Sequence, residues 1–454
     1  MASPTLMVSV SGIRGIVGTD LTPELVARHA AALAAWARAA GKPLVVLGRD
    51  SRTSGAMFVR AAAAGICSAG CDVIDLGVVP TPTVQLAVEH HRAGAGLIIT
   101  ASHNPIEWNA LKLVGPDGVF LDADAGARVR ALAEQGPPRA GWDGVGGVTE
   151  DRDAIKRHLD AVLALPEVDA SAIRRRKFRV ALDCVRGAGG AVIPQLLERL
   201  GCEMSAINLE TDGRFPREPE PIPENLGALG NLVRGSGAHI GMAVDPDVDR
   251  LALVDERGTP IGEDYTLAFA VRAVLGGAAS LLERPVVVAN LSTSLVVEDA
   301  ATAGNAWFLR APVGEANVAA TMRAEGALIG GEGNGGVILP ALHLGRDAPL
   351  GVALILQYLA RENRPVSALV AGAPRYAIVK AKTKRGGDLQ AAYAALKGRF
   401  PDANVDERDG LRLGWRDRWV HLRPSGTEPV IRIIAEAPDE TQARALVAES
   451  LGLL

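Results

Sequence analysis

Four short stretches of this chain carry residue types suited to moving a phosphoryl group. Thr100-Ala101-Ser102-His103-Asn104-Pro105 follows the apolar run Gly96–Ile99, so Ser102 is expected just past the carboxyl end of a buried strand. A second apolar run, Ile240–Val244, delivers Asp245-Pro246-Asp247-Val248-Asp249-Arg250. A third, Ala327-Leu328-Ile329, delivers Gly330-Gly331-Glu332-Gly333-Asn334-Gly335-Gly336, and near the C-terminus stands Arg423-Pro424-Ser425-Gly426-Thr427-Glu428-Pro429.

A serine hydroxyl needs a neighbouring base or a stored phosphoryl group to act in transfer. His103 is adjacent to Ser102, but on an extended loop neighbouring side chains point opposite ways, so a simple Ser-His dyad is not expected. No Gly-x-Ser-x-Gly elbow surrounds the serine, which argues against an acyl hydrolase. A phosphorylated Ser102 would instead place a dianion on the loop tip. Asp245, Asp247 and Asp249 alternate, so an extended loop would send all three carboxylates to one side. Oxygen-only ligands suit a hard cation, Mg²⁺ above all. An EF-hand is excluded, because Arg250 stands at the sixth loop position where that turn needs Gly, and an apolar strand precedes the loop. Arg423, Ser425, Gly426 and Thr427 gather a guanidinium, two hydroxyls and backbone N–H groups, as a phosphate cradle requires. Glu332 and Asn334 offer an acceptor and a mixed donor/acceptor for sugar hydroxyls. Arg14 stands on another tight turn, and Lys112 is placed to shuttle a proton or contact phosphate.

Three segments share one order of elements that would position these loops. Strands are expected at 43–48, 71–76 and up to Ser102, with helices near 58–69 and 84–91 between them. The order returns at 178–183, 191–200, 203–207 and 226–234 before Asp245, and again at 285–289, 295–303, 306–309 and 316–325 before Glu332. Such alternation means α/β units with parallel sheets covered on both faces, which bind ligands outside the carboxyl ends of their strands. From about Ala371 the pattern changes to close-set strands at 376–380, 419–422 and 431–435, flanked by helices near 389–397 and 440–450. The expected organisation is therefore four domains, three similar mixed/parallel α/β units and a C-terminal α+β unit. They span 1–148 with the serine loop, 149–255 with the aspartate loop, 256–370 with the sugar loop, and 371–454 with the anion loop. Linkers are expected at 135–147, 256–258 and 371–374.

At 454 residues the chain is too long for one core. Its formal net charge of −4 shows no basic excess, which argues against nucleic acid as the main partner. The cluster Arg174-Arg175-Arg176-Lys177 reads as a solvated face. No run of about 18 apolar residues suggests a membrane span, and no signal peptide is read, so a cytoplasmic enzyme is expected. Cys67, Cys71, Cys184 and Cys202 lack paired ligand spacing and read as reduced, buried thiols.

Taken together, these residues resemble the α-D-phosphohexomutase superfamily over essentially the whole chain. Ser-Gly-Ile-Arg-Gly at 11–15 and the motifs at 100–105, 245–250, 331–336 and 423–429 stand in that family's order. The resemblance implies that Ser102 carries a phosphoryl group at rest, and that Asp245, Asp247 and Asp249 hold one Mg²⁺ with it. It further implies that Arg423, Ser425, Gly426 and Thr427 bind the non-reacting phosphate, while Glu332, Asn334 and Arg250 meet the sugar. Arg14, Lys112 and His103 would assist transfer. The implied reaction interconverts hexose 6- and 1-phosphates through a bisphosphosugar, which also serves as activator, in a monomer or homodimer. Many members end the sugar loop in Ser-Gly-His, whereas Gly336 stands here, so an imidazole is missing. Pro312-Val313-Gly314-Glu315 resembles the phosphoglucosamine mutases more than the phosphomannomutase/phosphoglucomutase branch, and the Gly-Glu-x-Asn-Gly-Gly-Val pattern resembles a branch that accepts several hexose phosphates.

Overall fold

The computed structural model describes residues 6–9, 12–277, 284–384, 386, 388–424 and 430–454; Ser11, Ser425, Gly426 and Thr427 lie outside the described residues. Four sheets follow one another along the chain, three of one kind and a fourth of another. In each of the first three, a central strand lies between two parallel neighbours. Leu44–Arg49 is flanked by Asp72–Val78 and Ala95–Ile99. Arg179–Asp183 is flanked by Glu203–Ile207 and Ile240–Val244. Val286–Asn290 is flanked by Trp307–Ala311 and Ile329–Glu332. The expected α/β units are thus present.

Each sheet also has a strand that the apolar runs did not reveal, antiparallel to the third: Trp108–Val114, Leu251–Val254 and Gly336–Ile338. The sheets are therefore mixed, not parallel throughout, and every chemical loop is the connection of a hairpin. Asn109 and Lys112 interrupt the first of these strands and the other two are very short, which leaves little period to read. The first sheet has seven strands among the described residues, its outer ones being Met7–Ser9 and Val148–Glu150. Its pairing thus continues to Glu150, past the 148/149 seam. The turn at 256–258 is closed by a bridge between Val254 and Pro260, so the chain there still belongs to the second sheet's hairpin. Arg174, Arg175 and Arg176 fill the last turn of the short helix Ala170–Arg176, a favourable place for cations.

One apolar cluster runs from Leu159 to Leu369 and joins the second and third units. At its centre is the helix Ala348–Glu362, capped by Asp347, whose carboxylate accepts from Leu350 N. It packs against Asp264–Leu275, Ala154–Ala164, Ala170–Arg176 and Gly189–Arg199. Both Ala348–Glu362 and Asp264–Leu275 are apolar on nearly every face and buried accordingly, so neither shows the one-sided stripe of a surface helix.

The fourth sheet is antiparallel, in the order Ala377–Lys384, Val430–Ala437, Trp419–Pro424, Leu411–Gly414, Asn404–Asp406. It docks on the third unit through Glu436. That carboxylate accepts Leu295 N at 2.8 Å and Trp419 Nε1 at 2.6 Å, and the Ser294 hydroxyl also donates to it. A carboxylate from one unit thereby satisfies the open N-terminus of helix Leu295–Ala303 in another. Among the described residues no helix is long and apolar enough to cross a membrane.

Because the second and third units share one core, they should lose structure together. Leu354 is fully buried in the connecting helix. Leu354→Ala should cost about 2–5 kcal/mol, read in urea as one transition that shifts for both units.

Candidate active site

The strand Ala95–Ile99 is buried at every residue and ends at the serine loop. Ser102 adopts a left-handed conformation, φ 49°, so this loop is not extended. That turn corrects the expectation for the dyad, because His103 Nδ1 comes within 3.4 Å of Ser102 Oγ. Left-handed backbone at a non-glycine residue costs about 1–3 kcal/mol and persists only where surroundings impose it. Here Ser102 N donates to Thr100 Oγ1 at 2.9 Å, and Thr100 Oγ1 donates to Asp50 Oδ2 at 2.6 Å. Arg52, 1% exposed, supplies the rest. Its Nη1 donates to the carbonyls of Pro105 and Trp108 at 2.7 and 2.8 Å. Its Nη2 donates to those of Ser102 and Asn104 at 2.7 and 2.6 Å. Asp50 balances the charge, 3.2 Å from Arg52 Nε. One guanidinium therefore fixes the loop by four carbonyls. Neither Asp50 nor Arg52 was singled out from the sequence; the available signal was their place, directly after the strand Leu44–Arg49 at the same sheet edge as Ser102.

The aspartate loop is a turn as well. Val248 is left-handed, φ 62°, and fully buried. Asp245 Oδ1 accepts the backbone N–H groups of Asp249 and Arg250, both at 3.2 Å. The three carboxylates converge as expected, but because the chain curls around Asp245 and not because an extended strand aligns them. Ser102 Oγ donates to Asp245 Oδ2 at 2.8 Å. Asp247 Oδ2 accepts from Thr81 Oγ1 at 2.7 Å and from Lys112 Nζ at 2.6 Å. Lys112 projects from the strand Trp108–Val114, where it pairs with Ile98 of the serine strand, and it also reaches Asp249 Oδ2 at 3.5 Å.

These groups suit a hard divalent cation. One oxygen from each of Asp245, Asp247 and Asp249 lies within 4.8 Å of the others. Asp247 Oδ1 and Asp249 Oδ1 are buried and receive no hydrogen bond. Burial, then the charges of Asp249 and Asp247, push the Asp245 carboxyl well up, a strain that a cation would relieve. Burial opposes charge on Asp247 too, but Lys112 overcomes it and holds that group below its ordinary range. Burial likewise disfavours the Lys112 ammonium, yet Asp247 and Asp249 more than compensate, so Lys112 stays protonated. His103 is the opposite case: the Arg250 charge, then burial, then Arg14, hold it well below the usual imidazole range.

Glu332 closes the strand Ile329–Glu332 instead of lying in the loop beyond it. Its Oε1 accepts from Asn290 Nδ2 at 2.8 Å and Gly314 N at 3.0 Å. Its Oε2 accepts from Arg346 Nη1 at 2.9 Å, with Asn334 Nδ2 at 3.5 Å. Arg346, absent from the sequence-based set, also donates to Asp249 Oδ2 at 2.7 Å and Glu315 Oε2 at 3.0 Å. In sequence it is followed directly by Asp347, and no local pattern marked it. Arg14 Nη1 donates to Asn104 Oδ1 at 2.5 Å, beside the serine. Arg250 Nη1 donates to Glu220 Oε1 at 3.2 Å. The structure thus gathers Ser102, His103, Lys112 and the three aspartates directly, with Glu332 and Asn334 joined to them through Arg346. Arg423 lies on the fourth unit, paired with Asp409 at 3.1 Å, and Asp409 Oδ2 accepts Val313 N of the third unit at 3.0 Å. The four cysteines are free thiols; Cys71 and Cys184 are buried, whereas Cys67 and Cys202 are half-buried.

Four family profiles cover the chain in order. Those of the phosphoglucomutase/phosphomannomutase alpha/beta/alpha domains I, II and III match residues 6–139, 156–258 and 262–376, and that of the C-terminal domain matches 378–452. The chain belongs to the phosphoglucomutase/phosphomannomutase family. It is a phosphohexomutase, an isomerase that transfers phosphate within its substrate. A phosphoglucomutase/phosphomannomutase of Thermococcus kodakarensis is 38% identical over 452 residues, covering 98% of this mutase and 97% of that protein. A protein of Methanopyrus kandleri named "probable phosphoglucosamine mutase" is 37% identical over 448 residues, covering 98% and 96%. A phosphoglucomutase/phosphomannomutase family protein of Burkholderia thailandensis superposes with a TM-score of 0.88 at 26% identity, over 100% of this chain and 98% of the other. The N-acetylphosphoglucosamine mutase of Aspergillus fumigatus, solved with GlcNAc-6P and magnesium, shares the fold at a TM-score of 0.57 and 17% identity, over 98% and 95%.

If Arg52 fixes the serine loop, Arg52→Met should lower the mutase kcat about 100-fold or more, since displacing a reacting group by an ångström has that effect. Arg52→Lys, which keeps the charge but not the four-carbonyl fork, should fall between. Steady-state turnover, with circular dichroism to confirm folding, reads both.

Proposed function

We propose that the enzyme interconverts glucosamine 6-phosphate and glucosamine 1-phosphate through a phosphoserine at Ser102 and a bisphosphosugar intermediate. The observation that carries the mechanism is Ser102 Oγ at 2.8 Å from Asp245, at the edge of a three-carboxylate cluster faced by Lys112. Asp245, Asp247 and Asp249, with the Ser102 phosphate, would hold Mg²⁺. When bound, that ion supplies positive charge to the moving phosphoryl group.

The chain's own residues account for the remainder. A substrate hydroxyl attacks the Ser102 phosphorus; the new P–O bond forms as the bond to Oγ breaks. His103, kept neutral, can accept the hydroxyl's proton and pass it to Ser102 Oγ, 3.4 Å from Nδ1. Lys112, kept protonated, serves as a fixed cation against the phosphoryl charge and not as a base. Arg14 holds Asn104 and so the loop's far side. Glu332 and Asn334 meet sugar hydroxyls, and Arg423, Ser425, Gly426 and Thr427 take the phosphate that is not reacting. The bisphosphosugar then turns and returns its other phosphate to Ser102. Added bisphosphosugar would recharge a serine that had lost its phosphate.

Glucosamine phosphate is favoured by Val313-Gly314-Glu315 and by the full-length relative named as a phosphoglucosamine mutase. A second reading, broad action on glucose and mannose phosphates, is favoured by the relative named phosphoglucomutase/phosphomannomutase. Coupled assays on the three 6-phosphates with Mg²⁺ and a trace of bisphosphosugar separate them. A kcat/KM strongly favouring glucosamine 6-phosphate supports the first; comparable values support the second. Free phosphate release without isomerisation would overturn both.

Ser102→Ala should reduce turnover at least about 1,000-fold, the scale of losing a nucleophile, with folding intact. Retention of a few per cent of activity would remove the phosphoserine. Asp247→Ala should raise the half-saturating Mg²⁺ concentration at least about 10-fold; an unchanged titration would count against the metal loop.

A further inference from the structure

The sugar loop ends in a glycine that leaves no side chain at position 336, and the structure supplies the reason. A Cβ at Gly336 would stand 2.2 Å from Arg346 Cδ and 2.9 Å from its Cγ. The arginine stem already fills that volume. It cannot swing aside, because its head is pinned by three carboxylates from three elements: Asp249 at 2.7 Å, Glu332 at 2.9 Å and Glu315 at 3.0 Å. Its backbone is held as well. Arg346 N donates to Glu315 Oε1 at 3.2 Å. The next residue, Asp347, accepts from His158 Nε2 at 2.7 Å and His343 Nε2 at 3.0 Å, all three being fully buried side chains.

We propose that Arg346 is a positioning residue of the mutase reaction, a single cation that couples the metal loop to the sugar loop, and that position 336 is glycine to make room for it. The inference rests on the mutase reading above. Nη1 orients the Glu332 carboxylate, whose other donors are Asn290 at a strand end, Gly314 at the N-cap of helix Glu315–Glu325 and, at 3.5 Å, Asn334. Nη2 donates to Asp249 Oδ2 and leaves Oδ1 of the same carboxylate, one of the metal cluster, without a donor. A cation held by Asp249 would share that carboxylate with Arg346, so the two positive charges oppose each other, and any shift of the guanidinium is felt at Glu332.

This coupling predicts effects of opposite sign. Without Arg346, Asp249 loses a competing cation, so Mg²⁺ should bind more tightly; Glu332 loses its orienting partner, so the phosphosugar should bind less well. Calorimetric titrations of the full chain with Mg²⁺ alone, and with glucosamine 6-phosphate, read the two separately from turnover. For Arg346→Ala we expect Mg²⁺ affinity up and glucosamine 6-phosphate affinity down, each at least about 5-fold, within the usual range of coupling between sites. KM should rise more than kcat falls. Gly336→Ala should move both quantities the same way by displacing the guanidinium, and Gly336→Ala/Arg346→Ala should go no further than Arg346→Ala. Arg346→Lys, which keeps a cation but cannot span both loops, should fall between wild type and Arg346→Ala. Joint weakening of both ligands, no change in either, or additive losses in the double variant would overturn the proposal. Should Arg346→Ala not fold, Gly336→Ala and Arg346→Lys carry the same readings. A wild-type chain that binds both ligands without isomerising any hexose phosphate would fail the mutase reading alone.

Discussion

Asp50, Asp245, Asp247, Asp249, Glu315 and Glu332 are all buried in one region, answered by Arg52, Lys112, Arg250 and Arg346, with Arg14 at the edge. Taking charges out of water costs several kcal/mol for each ion unless partners and hydrogen bonds replace the solvent. Six carboxylates against five cations leave an excess of about one negative charge, and a phosphoserine would add nearly two more. The pairs do not share this excess evenly. Asp50 is matched to Arg52 at 3.2 Å, and Glu315 and Glu332 to Arg346 at 3.0 and 2.9 Å. The surplus falls on Asp245, Asp247 and Asp249, where two carboxylate oxygens go without donors. A site balanced in this way is built for an added divalent cation at one place only.

The same bonds that balance charge also fasten three units to each other. Thr81 N, from the first unit, donates to Asp247 O at 2.9 Å; Ala348 N, from the third, donates to Val248 O at 3.2 Å; Leu251 N, from the second, donates to Gly335 O at 3.0 Å. The carboxyl edges of three sheets are thereby locked together at the residues that carry the chemistry. Loops held so closely cannot follow a substrate that must present first one end and then the other. In the proposed cycle the sugar turns and the site stays still, which places the burden on groups that accept either orientation.

The motifs were legible because each sets polar residues against an apolar run at a strand end, a contrast that survives without any structure. Their internal geometry was not. Alternating aspartates suggested an extended loop, and the carboxylates do converge, but around a left-handed Val248 whose strain is offset by complete burial. A left-handed serine likewise brings His103 to the side of Ser102 that an extended loop would deny it. Neither residue type announces a positive φ, since the tertiary bonds of Arg52 and the packing around Val248 impose it. Arg52 and Arg346 were hidden for a related reason: a buried arginine draws its role from partners about 50 or 100 residues away. The all-round apolar helix Ala348–Glu362 shows no period, so the core that joins the second and third units left no pattern to read.

The proposed turnaround of the bisphosphosugar bears on specificity. Glu332 is held as an ionised carboxylate, since Arg346 and Asn290 outweigh its burial. An ionised carboxylate only accepts, and a hydroxyl on any carbon can take the place of Asn334, its most distant donor at 3.5 Å. Asn334 both donates and accepts, so it too is indifferent to which way the ring lies. A pair of this kind suits a substrate that must be gripped in two orientations. For the same reason it reads the configuration or substituent at C2 poorly. Discrimination between an amine and a hydroxyl there has to come from a group that meets C2 in only one of the two orientations, and so acts on one half of the reaction more than on the other.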